Sequence, residues 1–180
     1  MYPLLITSLS ACLLTSCSVN GWQSQTPNAP LGTNQAKQSS STTTPTSRSV
    51  DETTREVLIH AYQEELLAHD IYTNMVAKYP SLAEVNNIIS SEAQHQNSVG
   101  QLLDTRGITR PTDYWTYSET YTTLKNMIDT SLTGAIEVGV MVETGDIDHL
   151  LEEYKKVSDT DIRRVFENIG WASYNHLRSF

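Results

Sequence analysis

Basic side chains are scarce in this sequence, which has 12 lysine and arginine residues against 21 aspartate and glutamate residues. Only Lys37 and Arg48 precede Asp51, so residues 51–180 carry 10 basic and 21 acidic groups, a net charge of −11. Proteins that bind nucleic acid need basic surfaces to neutralise phosphates, so the composition argues against such a partner. It fits a protein that collects cations, and equally one whose acidic surface only keeps it soluble.

Cysteine is also nearly absent, and both cysteines belong to the same N-terminal feature. Residues 4–14 form an apolar run that is too short to span a bilayer but has the length of a signal-peptide core. Next comes Leu14-Thr15-Ser16-Cys17, which resembles the bacterial lipobox, where the cysteine becomes the lipidated first residue. Cys12 would leave with the signal, so the mature chain would contain no disulfide.

We therefore predict a lipoprotein signal peptide and lipobox over residues 1–17, with Cys17 lipidated and the lipid as the contact with the membrane. The mature protein would lie in the cell envelope, on the periplasmic or extracellular face. No lysine or arginine precedes the apolar run, although signal peptides usually start basic. An ordinary secreted protein is therefore the alternative.

Residues 18–50 are poor in apolar side chains and rich in serine, threonine, asparagine, glutamine and proline. Such a segment cannot bury enough surface to offset its chain entropy. We predict a disordered tether that lets the following domain stand off the membrane. The folded part of the chain would then be residues 51–180.

From Asp51 onward, apolar residues recur with helical periodicity, and no segment alternates as a β-strand does. We predict long helices at about 53–79, 81–106, 131–156 and 160–180, and a short helix at 121–130. Capping boxes at Thr53-x-x-Glu56 and Ser81-x-x-Glu84 predict the first two starts, and Gly107 predicts the end of the second. The fold predicted is all-α, an antiparallel four-helix bundle whose extended connection between the second and third long helices is a crossover.

The core-facing stripe of each long helix, read at a spacing of three to four residues, is apolar at both ends and polar in the middle. In an aligned bundle these polar interruptions would meet at one level of the core. They are Glu65 in the first helix, Glu92 and His95 in the second, Glu143 and Asp146 in the third, and Ser173 and His176 in the fourth.

Burying these acids without compensation would be prohibitive, because an isolated ionised carboxylate costs several kcal/mol even after relaxation. Two imidazoles offset part of the charge, whereas two divalent cations would neutralise the carboxylates and organise them. Glu-x-x-His pairs such as Glu92-x-x-His95 hold carboxylate-bridged metal pairs in helix bundles. We predict two iron or manganese ions, with Tyr72 as a candidate catalytic side chain and the ligands Glu65, Glu92, His95, Glu143, Asp146 and His176.

Each of these groups also has a simpler explanation. Glu-x-x-His occurs on many solvated helix faces, and one of the adjacent Glu64 and Glu65 is expected to face water. Glu143 and Asp146 fit a helix terminus, and His176 alone fits a packed core histidine. The coincidence of four helices interrupted in register favours the metal site.

Four motifs follow one another along the chain: Glu64-Glu65-Leu-Leu-Ala-His-Asp70-Ile-Tyr72, Ser91-Glu92-x-x-His95, Val138-Gly139-x-x-Val142-Glu143-x-x-Asp146 and Asn175-His176-Leu-Arg178-x-Phe180. Together they resemble a bacterial and archaeal ferritin-like family that is labelled as a domain of unknown function. The resemblance covers about residues 52–180 and implies the ferritin-like fold.

The site is more distantly similar to that of rubrerythrins and bacterioferritins, which implies ligand roles for Glu65, Glu92 and His95 and, as in rubrerythrins, for Glu143 and Asp146. Those families have a further Glu-x-x-His in the fourth helix, where this sequence reads Ser173-x-x-His176. One acid is therefore missing, which implies an asymmetric site. A rubredoxin-like Cys-x-x-Cys module is missing too, so electrons would come from another donor.

Three functions fit this pattern. The first is a di-iron or di-manganese redox protein that reduces O2 or H2O2 as an oxidase, peroxidase or ferroxidase. The second is an envelope metal carrier without turnover, which the missing acid favours. The third is a partner-binding lipoprotein with a metal-free polar layer and an interaction patch at Tyr114, Trp115 and Tyr117. We expect a monomer or dimer in each case.

Overall fold

The computed structural model describes residues 50–114 and 117–180, which form five α-helices and, within those ranges, no β-strand. The helices are α1 (Glu52–Lys78), α2 (Val85–Thr105), α3 (Ser118–Thr130), α4 (Leu132–Lys156) and α5 (Thr160–Leu177). The predicted all-α class is confirmed. The predicted signal with Cys17, and the predicted tether up to residue 49, lie outside the described residues. In the described part, none of the helices combines the length and apolar character that a membrane span requires.

The four long helices close a ring around a common core. Helices α1 and α5 each pack against both α2 and α4. Consequently α1 lies diagonally opposite α5, and α2 lies diagonally opposite α4. The connection from α2 to α4 spans this diagonal and carries α3, which packs against α1 and α4.

The starts of the first two helices differ from the prediction. Asp51, not Thr53, caps α1, because its Oδ1 accepts a hydrogen bond from Thr54 N at 2.9 Å. The predicted cap at Ser81 is also wrong, since α2 begins at Val85 without a side-chain cap. The backbone forms a turn just before α2, in which the N–H of Val85 donates to Leu82 O at 3.0 Å. This bond satisfies one of the N-terminal donors that a capping side chain would otherwise satisfy.

The end of α2 is where the sequence predicted it. Gly107 has a φ of +68°, in the left-handed region that favours glycine. Its N–H donates to Asp104 O at 3.0 Å, and the N–H of Ile108 donates to Leu103 O at 3.0 Å. Ile108 is then buried against the core, which fixes the direction in which the chain leaves the helix.

The core consists of two apolar clusters, and the polar interruptions of the helices lie between them. Leu58 and Phe166 belong to the first cluster, and Ile71 and Val138 to the second. The polar interruptions predicted in the stripes of α1 and α2, Glu65, Glu92 and His95, are all buried. The stripe predicted for α4 began at Leu132, but this side chain is 42% exposed. The first buried apolar side chains of α4 are those of Ala135 and Val138.

Candidate metal centre

Glu92 lies at the middle of the polar layer, and its two carboxylate oxygens face different imidazoles. Its Oε2 is 3.0 Å from Nδ1 of His95, which follows one turn later on α2. Its Oε1 is 3.0 Å from Nδ1 of His176, on α5. The spacing of three residues within α2 and the contact between α2 and α5 place both imidazoles against the same carboxylate.

Two further acids complete two groups that share Glu92. Glu65, on α1, places Oε2 at 3.3 Å from His95 Nδ1, and Glu143, on α4, places Oε1 at 3.5 Å from His176 Nδ1. In each group one ligand atom from every residue lies within 4.8 Å of the others. The groups are Glu65–Glu92–His95 and Glu92–Glu143–His176, so all four long helices contribute a donor.

These acids lie in a strongly desolvated environment. Glu65, Glu92 and Glu143 are 2%, 3% and 2% exposed. Burial, with the charges of Asp146 and Glu92, raises the pKa of Glu65 well above its usual range, and burial also raises the pKa of Glu143. Burial acts in the same direction on Glu92, but the adjacent imidazoles of His176 and His95 outweigh it and lower the pKa of Glu92 to about 2.

Burial acts on the pKa values of the two imidazoles in the opposite direction. Burial alone would lower the pKa of His176, but the adjacent carboxylates of Glu143 and Glu92 raise it to about 9. The pKa of His95 is also raised, mainly through Glu92, against the effect of burial. Without a cation, the layer therefore needs protons on its imidazoles and acids to balance its charge.

Two atoms of the layer fit a metal better than a proton network. Among the described residues, Glu65 Oε1 and His176 Nδ1 are buried and make no well-aligned hydrogen bond, although His176 Nδ1 lies 3.0 Å from Glu92 Oε1. A buried polar atom without a partner is costly, and both atoms are of types that coordinate metals. Carboxylate oxygens combined with imidazole nitrogens suit iron, manganese and zinc. The residues present therefore fit a pair of divalent cations.

Asp146, the remaining predicted ligand, lies beside the two groups and outside them. Its Oδ2 accepts a hydrogen bond of 2.5 Å from Ser173 Oγ on α5. Ser173 is 1% exposed and occupies the position where the resemblance implies an acid. Burial, together with the charge of Glu64, raises the pKa of Asp146 to about 8. The hydroxyl on α5 thus orients an acid of α4.

Tyr72, the predicted catalytic side chain, is fully buried and bonded to one of the acids. Its hydroxyl donates to Glu143 Oε1 at 2.5 Å. Its ring stacks on Phe180, with the ring centroids 5.9 Å apart. Gly139 makes room for Phe180, because a Cβ there would lie 2.4 Å from the Phe180 ring. Tyr72 therefore holds the orientation of Glu143 from within the second apolar cluster.

A second buried cluster of charged side chains lies beside the layer and was not predicted from the sequence. One of the adjacent Glu64 and Glu65 was expected to face water, but both are buried. Glu64 is 7% exposed, and one of its carboxylate oxygens contacts Nδ1 of His149. Nε2 of His149 lies 2.9 Å from Oε1 of Glu153, which is 3% exposed. Asp146, His149 and Glu153 continue one stripe of α4 at spacings of three and four, so the same periodicity signal could have found them.

Residues 54–180 match a family described as Uncharacterized protein domain (DUF2202). The chain belongs to the DUF2202 family. It is 32% identical over 139 residues to the Uncharacterized protein MJ0754 of Methanocaldococcus jannaschii, and the alignment covers 73% of this chain and 75% of that protein. The crystal structure of hypothetical protein MJ0754 from Methanococcus jannaschii superposes with a TM-score of 0.69, at 32% identity, over 78% of this chain and 82% of the other.

The DUF2202 match contains every predicted ligand, from Glu65 to His176, together with Tyr72 and the Glu64–His149–Glu153 cluster. The predicted lipidation residue Cys17 lies before the matched range. The candidate centre is therefore built from residues of the DUF2202 domain alone.

His149 allows a prediction about stability. Burial would lower its pKa, but the hydrogen bonds to Glu153 and Glu64 raise it to about 10. His149→Gln removes the positive charge between two buried carboxylates and should lower the free energy of unfolding by about 3 kcal/mol at pH 6. Because the folded pKa lies above the unfolded value of about 6.5, this contribution is complete below pH ~6.5 and is lost as the pH rises towards 10.

The measurement is urea unfolding of the wild type and of His149→Gln between pH 6 and pH 10. His69→Gln, at a half-buried histidine of α1, is the matched control and should change stability little at any pH. A difference between wild type and His149→Gln that stays constant over this range would contradict the charged state inferred for His149.

Proposed function

We propose that this DUF2202 domain binds two divalent cations, iron or manganese, in the polar layer, with the carboxylate of Glu92 shared between them. The observation that carries the proposal is that the two ligand groups have Glu92 in common, with each of its oxygens directed to a different imidazole. Carboxylates bridge metal pairs in this manner in helix bundles.

Charge supports the same conclusion. Three buried carboxylates share a layer with two imidazoles, and the apolar clusters on both sides keep water away. Leaving such a set partly unpaired is costly. Two divalent cations would satisfy the carboxylates together with Glu65 Oε1 and His176 Nδ1, the two ligand atoms that make no well-aligned hydrogen bond among the described residues.

The arrangement of the helices also supports a ferritin-like assignment, which is part of the proposal. Ferritin-like bundles have one long crossover and draw metal ligands from all four helices. Here the long connection carrying α3 joins the diagonal helices α2 and α4, and the ligands come from α1, α2, α4 and α5.

The activity we propose is the reduction of O2 or H2O2. Bound iron would supply one electron per ion, so a pair of iron(II) ions matches the two electrons that convert H2O2 and two protons into two water molecules. Tyr72 would orient Glu143 through its hydroxyl hydrogen bond of 2.5 Å. An electron donor outside this chain would restore the reduced state.

A second candidate is metal binding without turnover, and one observation favours it. Ser173 occupies the place of an acid on α5 and binds Asp146, so one carboxylate fewer faces the metals. A partner-binding protein with a metal-free layer has less support. Tyr117 is 5% exposed and belongs to the second apolar cluster, Tyr114 packs on Tyr121, and Trp115 lies outside the described residues.

The shared position of Glu92 leads to a prediction about metal counts. The purified full chain, loaded anaerobically with iron(II) or manganese(II) and desalted, should retain about two metal ions per chain. Glu65→Ala should leave about one ion, whereas Glu92→Gln should leave none, because Glu92 belongs to both groups. Metal content is measured by mass spectrometry, with circular dichroism to verify folding.

Glu137→Gln is the matched control, since this acid is exposed on α4 and should not affect the metal count. No retained metal in the wild type would refute the proposal. Equal losses in Glu65→Ala and Glu92→Gln would refute the shared role of Glu92 and leave a single site.

Tyr72→Phe tests whether the bound metal turns over. This variant keeps the ring against Phe180 and removes only the hydroxyl that orients Glu143. The metal count should stay at the wild-type value, while peroxide consumption by the iron-loaded chain falls on the order of tenfold. Peroxide consumption by the wild type no faster than that of free iron would instead favour metal binding without turnover.

We further propose that the domain is anchored to the cell envelope through a lipid on Cys17. The support is the lipobox-like sequence Leu14-Thr15-Ser16-Cys17 after an apolar run. Mass spectrometry of the mature N-terminal peptide should show an acylated Cys17, and Cys17→Ser should release the protein from the membrane fraction. An unmodified Cys17, or cleavage elsewhere, would favour an ordinary secreted protein.

A further inference from the structure

A small cavity lies beside the polar layer, lined by residues of α1, α3 and α4 and partly open to solvent, with a volume of about 50 Å³. Ala68 of α1 and Leu124 of α3 are buried in its wall, whereas Thr120 and Val142 of the same wall are half-buried and so border solvent as well. The carboxylates of Glu64 and Asp146 complete the lining. The cavity is therefore apolar except at these two acids.

Size and polarity limit what this cavity can hold. A water molecule takes about 30 Å³ in the liquid, so a space of this volume accommodates one molecule of two or three heavy atoms. Apolar walls offer few hydrogen bonds, and an ion would lose its hydration there without compensation. The fitting occupant is a small uncharged molecule, and the two acids disfavour anions further.

Asp146 connects the cavity to the candidate metal centre. The same side chain lines the cavity and accepts the hydrogen bond from Ser173, which is buried at the level of the polar layer. A molecule in the cavity would therefore contact a side chain that adjoins the ligand groups. The chain has a second, more polar cavity, lined by Thr53, Glu56 and His60 among others, but it touches none of the proposed ligands.

We propose that the apolar cavity between α1, α3 and α4 binds small uncharged oxidants, O2 or H2O2, and is their route to the metal pair. Bulky organic peroxides and anionic oxidants are excluded by its size and by its apolar and acidic lining. The proposal rests on the proposed function for the identity of the oxidant. The capacity of the cavity to bind a small uncharged molecule does not depend on the metals.

Xenon tests the binding step without any metal. Crystals of the metal-free full chain, held under xenon pressure, should show a xenon atom between Ala68 and Leu124, because dry apolar cavities bind this gas. Ala68→Leu fills the space from α1 and should abolish the xenon peak. Absence of xenon from the wild-type cavity would overturn the proposal.

Kinetics of the iron-loaded chain test the route. Val142→Trp obstructs the solvent side of the cavity and should slow the consumption of H2O2 on the order of tenfold at an unchanged metal count. Val140→Trp is the matched control on the same helix, because Val140 is 40% exposed and does not line the cavity, and its rate should match the wild type. The wild type should also consume tert-butyl hydroperoxide far more slowly than H2O2.

The outcomes separate this proposal from the proposed function. Equal rates in Val142→Trp and Val140→Trp, or equal rates with the two peroxides, would overturn the route. A wild-type chain that binds xenon and retains no metal would refute the proposed function and the role as a route, while leaving the gas-binding cavity established. If Val142→Trp does not fold, the xenon result and the comparison of the two peroxides decide.

Discussion

The constraint on which the rest of this structure depends is the burial of three carboxylates at one level of a helical bundle. Glu65, Glu92 and Glu143 come from three different helices and are almost completely enclosed. Apolar clusters pack on both sides of them, so the helices cannot move these acids to solvent without losing core contacts. Charge balance must therefore come from inside the layer, from protons or from cations.

The chain contains a second buried acid cluster, and the comparison between the two is informative. Between Glu64 and Glu153, both nitrogens of His149 face a carboxylate, and Lys156 Nζ lies 2.8 Å from Glu153 Oε1, so two cationic side chains balance the two acids. In the main layer, both imidazoles turn Nδ1 towards Glu92, and Glu65 Oε1 and His176 Nδ1 make no well-aligned hydrogen bond with any described residue. In the first arrangement Glu153 Oε2 has no hydrogen-bond partner among the described residues, but the charges of the two acids are balanced. The second has the donor atoms of a cation site.

The burial of most residues of the polar layer could be predicted from the sequence, because helical periodicity shows which side chains face the core. The stripes of α1 and α2 placed Glu65, Glu92 and His95 correctly in the core. The capping residue of α1 could not be separated from its neighbours, since Asp51 and Thr53 are both good caps and only the backbone decides between them. The burial of Glu64 beside Glu65 could not be predicted, because its partner His149 on α4 is distant in sequence. A charged side chain is buried only where such a partner exists.

The resemblance to rubrerythrins implied that Ser173 leaves one metal position short of an acid, but the geometry gives that substitution a different meaning. Each of the two groups contains two carboxylates and one imidazole, so neither is poorer than the other in donors from the chain. The residue that Ser173 affects is Asp146, which accepts its hydrogen bond and lies beside the two groups. Asp146 lines the apolar cavity together with Glu64, so the hydroxyl of Ser173 orients one of the two acids that a molecule there would contact. Ser173 therefore acts on an acid beside the two groups, and each group keeps its two carboxylates and its imidazole.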